Sequence, residues 1–126
     1  MKVKWAVIGA SGMVGTRAVP ELIASDNGQL AAVVSLFEDR SATLEEEWNA
    51  PWFTSVEKML DQTAGDAVYV ASPPHMHPEH VRLAASHGRH VLCEKPLAPT
   101  VREAEEMVQV CQRSGVKLGT AFNYRF

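Results

Sequence analysis

The sequence predicts an α/β domain with a doubly wound parallel sheet in three α/β/α layers. Apolar runs of strand length recur along it, rich in β-branched residues and nearly continuous, as strands covered on both faces must be. Segments of helical period separate these runs, the order that a parallel sheet with crossover helices requires. The 126 residues, 46% hydrophobic and 21% charged, suit one packed core, since domains cluster at about 100 to 150 residues. Such a composition is too apolar for a disordered chain.

The first strand is expected at residues 4–8. Lys2 and Lys4 ahead of Trp5-Ala6-Val7-Ile8 imitate a signal peptide, but the apolar stretch breaks at once into Gly9-Ala10-Ser11-Gly12 and therefore reads as a strand. A helix follows, and Asp26-Asn27-Gly28 turns the chain toward a second strand at 30–34. Glu45-Glu46-Glu47 beside Trp48, Pro51 and Trp52 reads as a solvated helix face with two aromatics beneath, and Trp52-Phe53 as a short strand. A strand at 66–71 precedes a helix in which Pro78 is the first helical residue, Val81, Ala84 and Ala85 face inward, and Gly88 ends the run. After a strand at 90–93, Thr100 and Glu103 form a T-x-x-E capping box. Val101, Ala104, Val108 and Cys111 then share a helix face expected to be buried, before Gly115 and a last strand at 117–121. Ser86-His87-Gly88 and Arg113-Ser114-Gly115 enter their strands alike, so the αβ unit repeats in form. No linker or composition shift divides residues 1–126, which read as one domain.

Charge and cysteine content exclude several function classes. With 12 Lys+Arg against 15 Asp+Glu the formal net charge is −3. Without a basic block, no nucleic-acid or anionic-membrane surface is expected. No apolar run approaches the roughly 18 residues that cross a bilayer. Cys93 and Cys111 lie in a predicted strand and helix, which suggests reduced core thiols and a cytoplasmic location.

Gly9, Gly12 and Gly15 follow the first strand and open the first helix. Glycine there permits a tight turn and a close backbone approach to a pyrophosphate, which free amides and the helix dipole would hold. That makes the fold a Rossmann-type dinucleotide-binding domain. Ser11 stands where the second glycine of G-x-G-x-x-G would be; its hydroxyl can cap the helix or bond a phosphate oxygen. A P-loop is disfavoured because no Gly-Lys-Ser/Thr follows. Ser35, 20 residues past Gly15, takes the place of the acid that holds a ribose 2′-hydroxyl in NAD-binding domains. Serine does not repel a 2′-phosphate and Arg40 is near in sequence, so NADP is favoured, while Glu38 or Asp39 remains a displaced alternative to the acid.

Two further segments carry chemistry. Ser72-Pro73-Pro74-His75-Met76-His77-Pro78-Glu79-His80 holds three histidines in six positions. The H-x-H pair invites a metal, but no carboxylate or cysteine set completes a shell, so none is expected. The Ser-Pro-Pro turn instead fits the wall of a groove at the carboxyl ends of the strands, with His77 nearby. In Cys93-Glu94-Lys95-Pro96-Leu97, Pro96 biases Lys95 toward an extended backbone at that same edge. Lys95 there can orient a substrate hydroxyl and share its proton, and Glu94 can accept from a ribose hydroxyl. A plain surface Glu/Lys pair is the alternative.

Together with the ending Asn123-Tyr124-Arg125-Phe126, these segments resemble the N-terminal domain of the glucose-fructose oxidoreductase/inositol dehydrogenase (Gfo/Idh/MocA) family over nearly the whole chain. The resemblance implies NAD(P) binding, with Gly9, Ser11, Gly12, Met13 and Val14 at the pyrophosphate and Ser35 and Arg40 at the adenosine ribose. It places Ser72, Pro73 and His77 at the middle of the cofactor and Glu94 at the nicotinamide ribose. Lys95 matches the family's active-site lysine, and Asn123 and Arg125 lie where the chain passes toward the substrate. Gly-Ala-Ser-Gly together with Ser35 resembles the family's NADP-preferring reductases.

The implied parent reaction moves hydride between a nicotinamide cofactor and a sugar, polyol or related hydroxy compound. Family members continue into a C-terminal substrate domain, which is absent from these residues. The expectation for this chain is cofactor binding with little turnover, and homo-oligomers through surfaces that domain would cover. A stand-alone NAD(P)-binding sensor is the alternative. An aspartate-semialdehyde-dehydrogenase-like enzyme is disfavoured, because no cysteine falls in a nucleophile loop.

Overall fold

In the computed structural model, which describes residues 1–36 and 46–122, six strands form a single all-parallel sheet. The elements are β1 (Val3–Ile8), α1 (Met13–Ala24), β2 (Gly28–Val34), β3 (Trp52–Phe53), α2 (Val56–Gln62), β4 (Ala67–Val70), α3 (His77–Ser86), β5 (His90–Glu94), α4 (Val101–Arg113) and β6 (Leu118–Ala121). A 3₁₀ turn, Pro74–Met76, leads into α3. The strand order is β3-β2-β1-β4-β5-β6. The chain leaves β3 at one edge and returns to the middle as β4, so the order reverses between β1 and β4, where ligands of open α/β sheets bind. Residues 66 and 71 of the expected third long strand fall just outside β4, although their amides still donate to Lys4 O and Ile8 O of β1, both at 2.8 Å.

Alternating side chains divide the interior into two layers. Ala6, Ile8, Ala32, Val34, Val68, Val70, Val91 and Cys93 face α2, α3 and α4 in the larger core. Val7 and Val33 face the other way, onto Val19 of α1 and the buried Trp48. Trp48 is buried and Trp52 half-buried, while Glu46 and Glu47 are exposed; Glu45 of the acidic run lies outside the described residues. The second outer layer is only partly built among the described residues. Across β4–β6 no described helix covers the sheet, leaving an open cavity of about 440 Å³ walled by Trp5, Leu22, Tyr69, Leu92 and Ala121.

Local signals end the helices as the sequence leads one to expect. The Thr100 hydroxyl accepts from the Glu103 amide (3.2 Å), and the Glu103 carboxylate returns the contact to that hydroxyl (2.7 Å) rather than to the backbone. Gly88 and Gly115 both adopt positive φ, +70° and +69°, where a Cβ would be strained. The buried face of α4 differs from expectation. Val101 is 76% and Val108 40% exposed, whereas Met107 and Cys111 are buried. Two apolar stripes share this helix, and α3 together with the sheet takes the one centred on Met107. Cys93 and Cys111 are both free thiols in the same core.

Met107→Ala should therefore cost about 2–5 kcal/mol in urea unfolding, the range for deleting a buried side chain. Val101→Ala should stay within about 0.5 kcal/mol. The His87 ring, at the end of α3, faces Leu83 O through Nδ1 and the Asp61 carboxylate through Nε2, both at 2.9 Å. The Leu83 carbonyl first, and Asp61 second, raise its pKa above the ordinary 6.5. The stability it adds is complete below 6.5 and is lost as pH rises through the raised folded value. A thermal melt series from pH 6 upward should show a small decline in the wild type that His87→Gln lacks, small because the pair is solvent-screened.

Candidate functional site

At the carboxyl ends of β1 and β4 the backbone is too crowded for side chains. Gly9 has φ +81°, and a Cβ there would lie 2.6 Å from the Ala71 carbonyl and 2.7 Å from Ser72 N. A Cβ on Gly15 would lie 2.4 Å from Gly9 O and 2.6 Å from Ala10 Cα. Those neighbours are main chain and cannot swing aside. The first glycine lets the loop cross the end of β4, and the third lets α1 sit directly on that loop. Gly12 is the N-cap; its amide donates to Gly9 O (3.1 Å), and it supplies no side chain to the first turn. The amides at the start of α1 carry no side-chain cap, and no acidic residue occupies the first turn. The positive end of the helix dipole is thus open to an anion. A groove of about 230 Å³ runs between Gly12, Met13 and Val14 on one side and Ala71, Ser72 and Pro73 on the other.

Ser11 does not cap α1. Its buried hydroxyl hydrogen-bonds the hydroxyl of Ser35, which is wholly buried at the end of β2. The residues replacing the usual glycine and the usual acid are therefore in contact with each other. Nearby, the Gly9 and Ala10 amides both donate to Val34 O, at 2.9 and 3.1 Å. Arg40, Glu38 and Asp39 lie outside the described residues, as do Asn123 and Arg125.

Ser72 is held at both of its polar ends. Its hydroxyl lies 2.7 Å from His80 Nδ1, and its carbonyl lies 2.7 Å from His77 Nε2. Burial, the largest influence on His80, lowers its pKa and favours the neutral ring. His77 is wholly buried, beneath the groove rather than on its surface, and its Nδ1 faces Pro96 O (3.0 Å) and Leu97 O (3.2 Å). Both histidines thus spend ring nitrogens on protein partners. Among the described residues no group of three or more His, Cys, Asp or Glu side chains is arranged to hold a metal ion.

On the next strand, the Glu94 carboxylate accepts from the Tyr69 hydroxyl and, through Oε2, from the Lys95 amide (3.2 Å). Burial of Tyr69, its hydrogen bond to Glu94 and the charge on Glu94 together raise the pKa of its phenol well above the usual value, so it donates at all ordinary pH. Lys95 is exposed, and the Lys95–Pro96 peptide is cis. Val70 pairs with Cys93, so the turn that starts at Ala71 and the Glu94–Lys95 segment leave the same edge of adjacent strands. Cys93 beside them is buried, its thiol pushed up to about 12, chiefly by desolvation. It has no thiolate to offer a semialdehyde-type reaction.

Gly9, Ser11, Gly12, Met13, Val14, Ser72 and Pro73 line one groove, with Glu94 and Lys95 on the adjoining strand end. Tyr69 and Leu36 join this site without having been expected there. A period-two count reveals Tyr69, since it lies beside Leu92 and therefore on the same face as Glu94. Leu36, which also lines the groove, has no comparable signal.

A family model described as an oxidoreductase family with an NAD-binding Rossmann fold matches residues 3–122. The chain is 35% identical over 123 residues to D-xylose 1-dehydrogenase (NADP(+)) 2 of Haloferax volcanii, covering 97% of this chain and 38% of that protein. Against 1,5-anhydro-D-fructose reductase of Ensifer adhaerens it is 37% identical over 123 residues, covering 97% of this chain and 37% of that one. The WlbA dehydrogenase from Bordetella pertussis, solved in complex with NADH and UDP-GlcNAcA, superposes with a TM-score of 0.93 at 27% identity, over 98% of this chain and 36% of the other. The chain spans well under half the length of each of these relatives. With the match running from the first strand to the last, the chain belongs to the Gfo/Idh/MocA oxidoreductases and is built on that family's NAD-binding Rossmann fold.

Proposed function

We propose that this domain binds NADP(H) and presents its nicotinamide beside Lys95, for hydride exchange with a secondary alcohol of a sugar, polyol or related hydroxy compound. The observation that carries the reading is the groove between the uncapped start of α1 and the Ser72–Pro73 turn. Backbone amides of Met13 and Val14, next to the side-chain-free Gly12, hold the pyrophosphate there, which suits a chain of net charge −3. Ser11, Ser35 and Arg40 form the adenosine-ribose end, where no carboxylate at position 35 opposes a 2′-phosphate. Glu94, steadied by Tyr69, accepts from the nicotinamide ribose. The Lys95 ammonium orients the substrate hydroxyl and exchanges its proton, and Asn123 extends the site toward substrate. Bound nicotinamide supplies the hydride chemistry, and the protein supplies placement.

The names of two relatives, a D-xylose dehydrogenase (NADP(+)) and an anhydrofructose reductase, support the cofactor and substrate class. The uncovered β4–β6 face favours a second reading, a module that binds the dinucleotide and responds by self-association. Lys95→Ala would leave that response intact.

Fluorescence titration should give tighter binding of NADPH than of NADH, by about tenfold or 1.4 kcal/mol; tighter NADH binding overturns the NADP reading. The purified chain should show little or no polyol oxidation, and saturable turnover would contradict this. Tyr69→Phe should lower the unfolding free energy by about 1.5–3 kcal/mol, the worth of a bond to a charged group, and should weaken NADPH binding.

A further inference from the structure

Two loops meet where β4 and β5 end, and one imidazole joins them. His77 Nε2 lies 2.7 Å from Ser72 O, while Nδ1 lies 3.0 Å from Pro96 O and 3.2 Å from Leu97 O. Carbonyl oxygens only accept, so each contact needs a ring N–H: a neutral ring donates to one of the two loops at a time, and only the imidazolium donates to both. The helix does not call for histidine at its first residue, since His77 caps nothing through its side chain. A wholly buried imidazole is costly unless its hydrogen bonds recover the lost hydration, and here all of them cross to other segments. Ser72 forms one wall of the groove, and Pro96 follows Lys95 directly.

We propose that His77 is a positioning residue that couples the Ser72–Pro73 wall of the groove to the Lys95–Pro96 loop, so that filling the groove restrains Lys95. The coupling rests on the groove being the dinucleotide site. It requires no contact between the cofactor and His77. A ligand that presses only on the Ser72–Pro73 wall changes the freedom of Lys95 through the ring, and by linkage the state of the Lys95 loop changes affinity in the groove.

The probe is 2′-phospho-ADP, which fills the adenosine and pyrophosphate positions but lacks nicotinamide and its ribose, and so reaches neither Glu94 nor Lys95 directly. Its affinity is measured by calorimetry, and the labelling rate of Lys95 by an amine-reactive reagent is followed by mass spectrometry. In the wild type the ligand should slow Lys95 labelling by about fivefold. His77→Asn keeps a donor toward Pro96 and Leu97, and His77→Gln keeps one toward Ser72. Each should bind the ligand within about threefold of the wild type yet lose most of the slowing.

Variants that slow labelling as the wild type does, or a wild type that binds the ligand without any slowing, overturn the coupling. A wild type that binds neither the ligand nor NADPH overturns the dinucleotide reading itself, and the coupling with it. If both variants unfold, the ¹⁵N signals of the His77 ring in the unmutated domain decide: both nitrogens should shift on ligand addition, and unshifted signals overturn the coupling.

Discussion

Three pieces of main chain converge above the centre of the sheet: the end of β1, the end of β4 and the start of α1. The room between them is less than one methyl group, as the 2.4–2.7 Å contacts of imagined Cβ atoms at Gly9 and Gly15 show. Everything at the site follows from that closeness. Because α1 starts on the loop itself, its first amides point across a narrow gap at the Ser72–Pro73 turn. Because β1 and β4 are neighbours at the reversal of strand order, the gap opens at the carboxyl edge of the sheet. A methyl at either glycine would push α1 away from β4 and widen the gap.

What could be read from the sequence is what depends on local chain. The glycine loop, the T-x-x-E cap, the glycine helix ends and the Glu-Lys-Pro exit each need residues only a few positions apart, and all appear where expected. The contacts that complete the site join residues 19 to 25 positions apart: Ser11 with Ser35, Tyr69 with Glu94, His77 with Pro96 and Leu97. These depend on strand register and on side-chain direction, which periodicity does not carry. Ser11 and Ser35 were each legible as departures from a pattern, but nothing in either position announces that they touch. The α4 face shows a different limit. Helical period identifies apolar stripes, and only the place of α3 decides that Met107 rather than Val101 and Val108 turns inward.

The site manages charge with few charged groups. An open helix end and a loop of amides form the proposed phosphate site, one carboxylate is steadied by a phenol, and one ammonium stands exposed beside it. The two histidines on α3 are turned inward to serve as braces. Placement therefore rests on backbone and buried hydrogen bonds, and the exposed ionisable groups of the described site are confined to the end where hydride exchange is proposed.

The three tryptophans sit in unlike surroundings. Trp48 is buried and Trp52 half-buried, both on the β3 side, and their indole N–H groups have no hydrogen-bond partner among the described residues. Trp5 instead walls the open cavity on the bare half of the sheet, beside Tyr69 and Leu92. Its emission is an intrinsic optical gauge of that face: whatever covers β4–β6 removes water from Trp5 and shifts its emission to the blue, while Trp48 and Trp52 supply a nearly constant background.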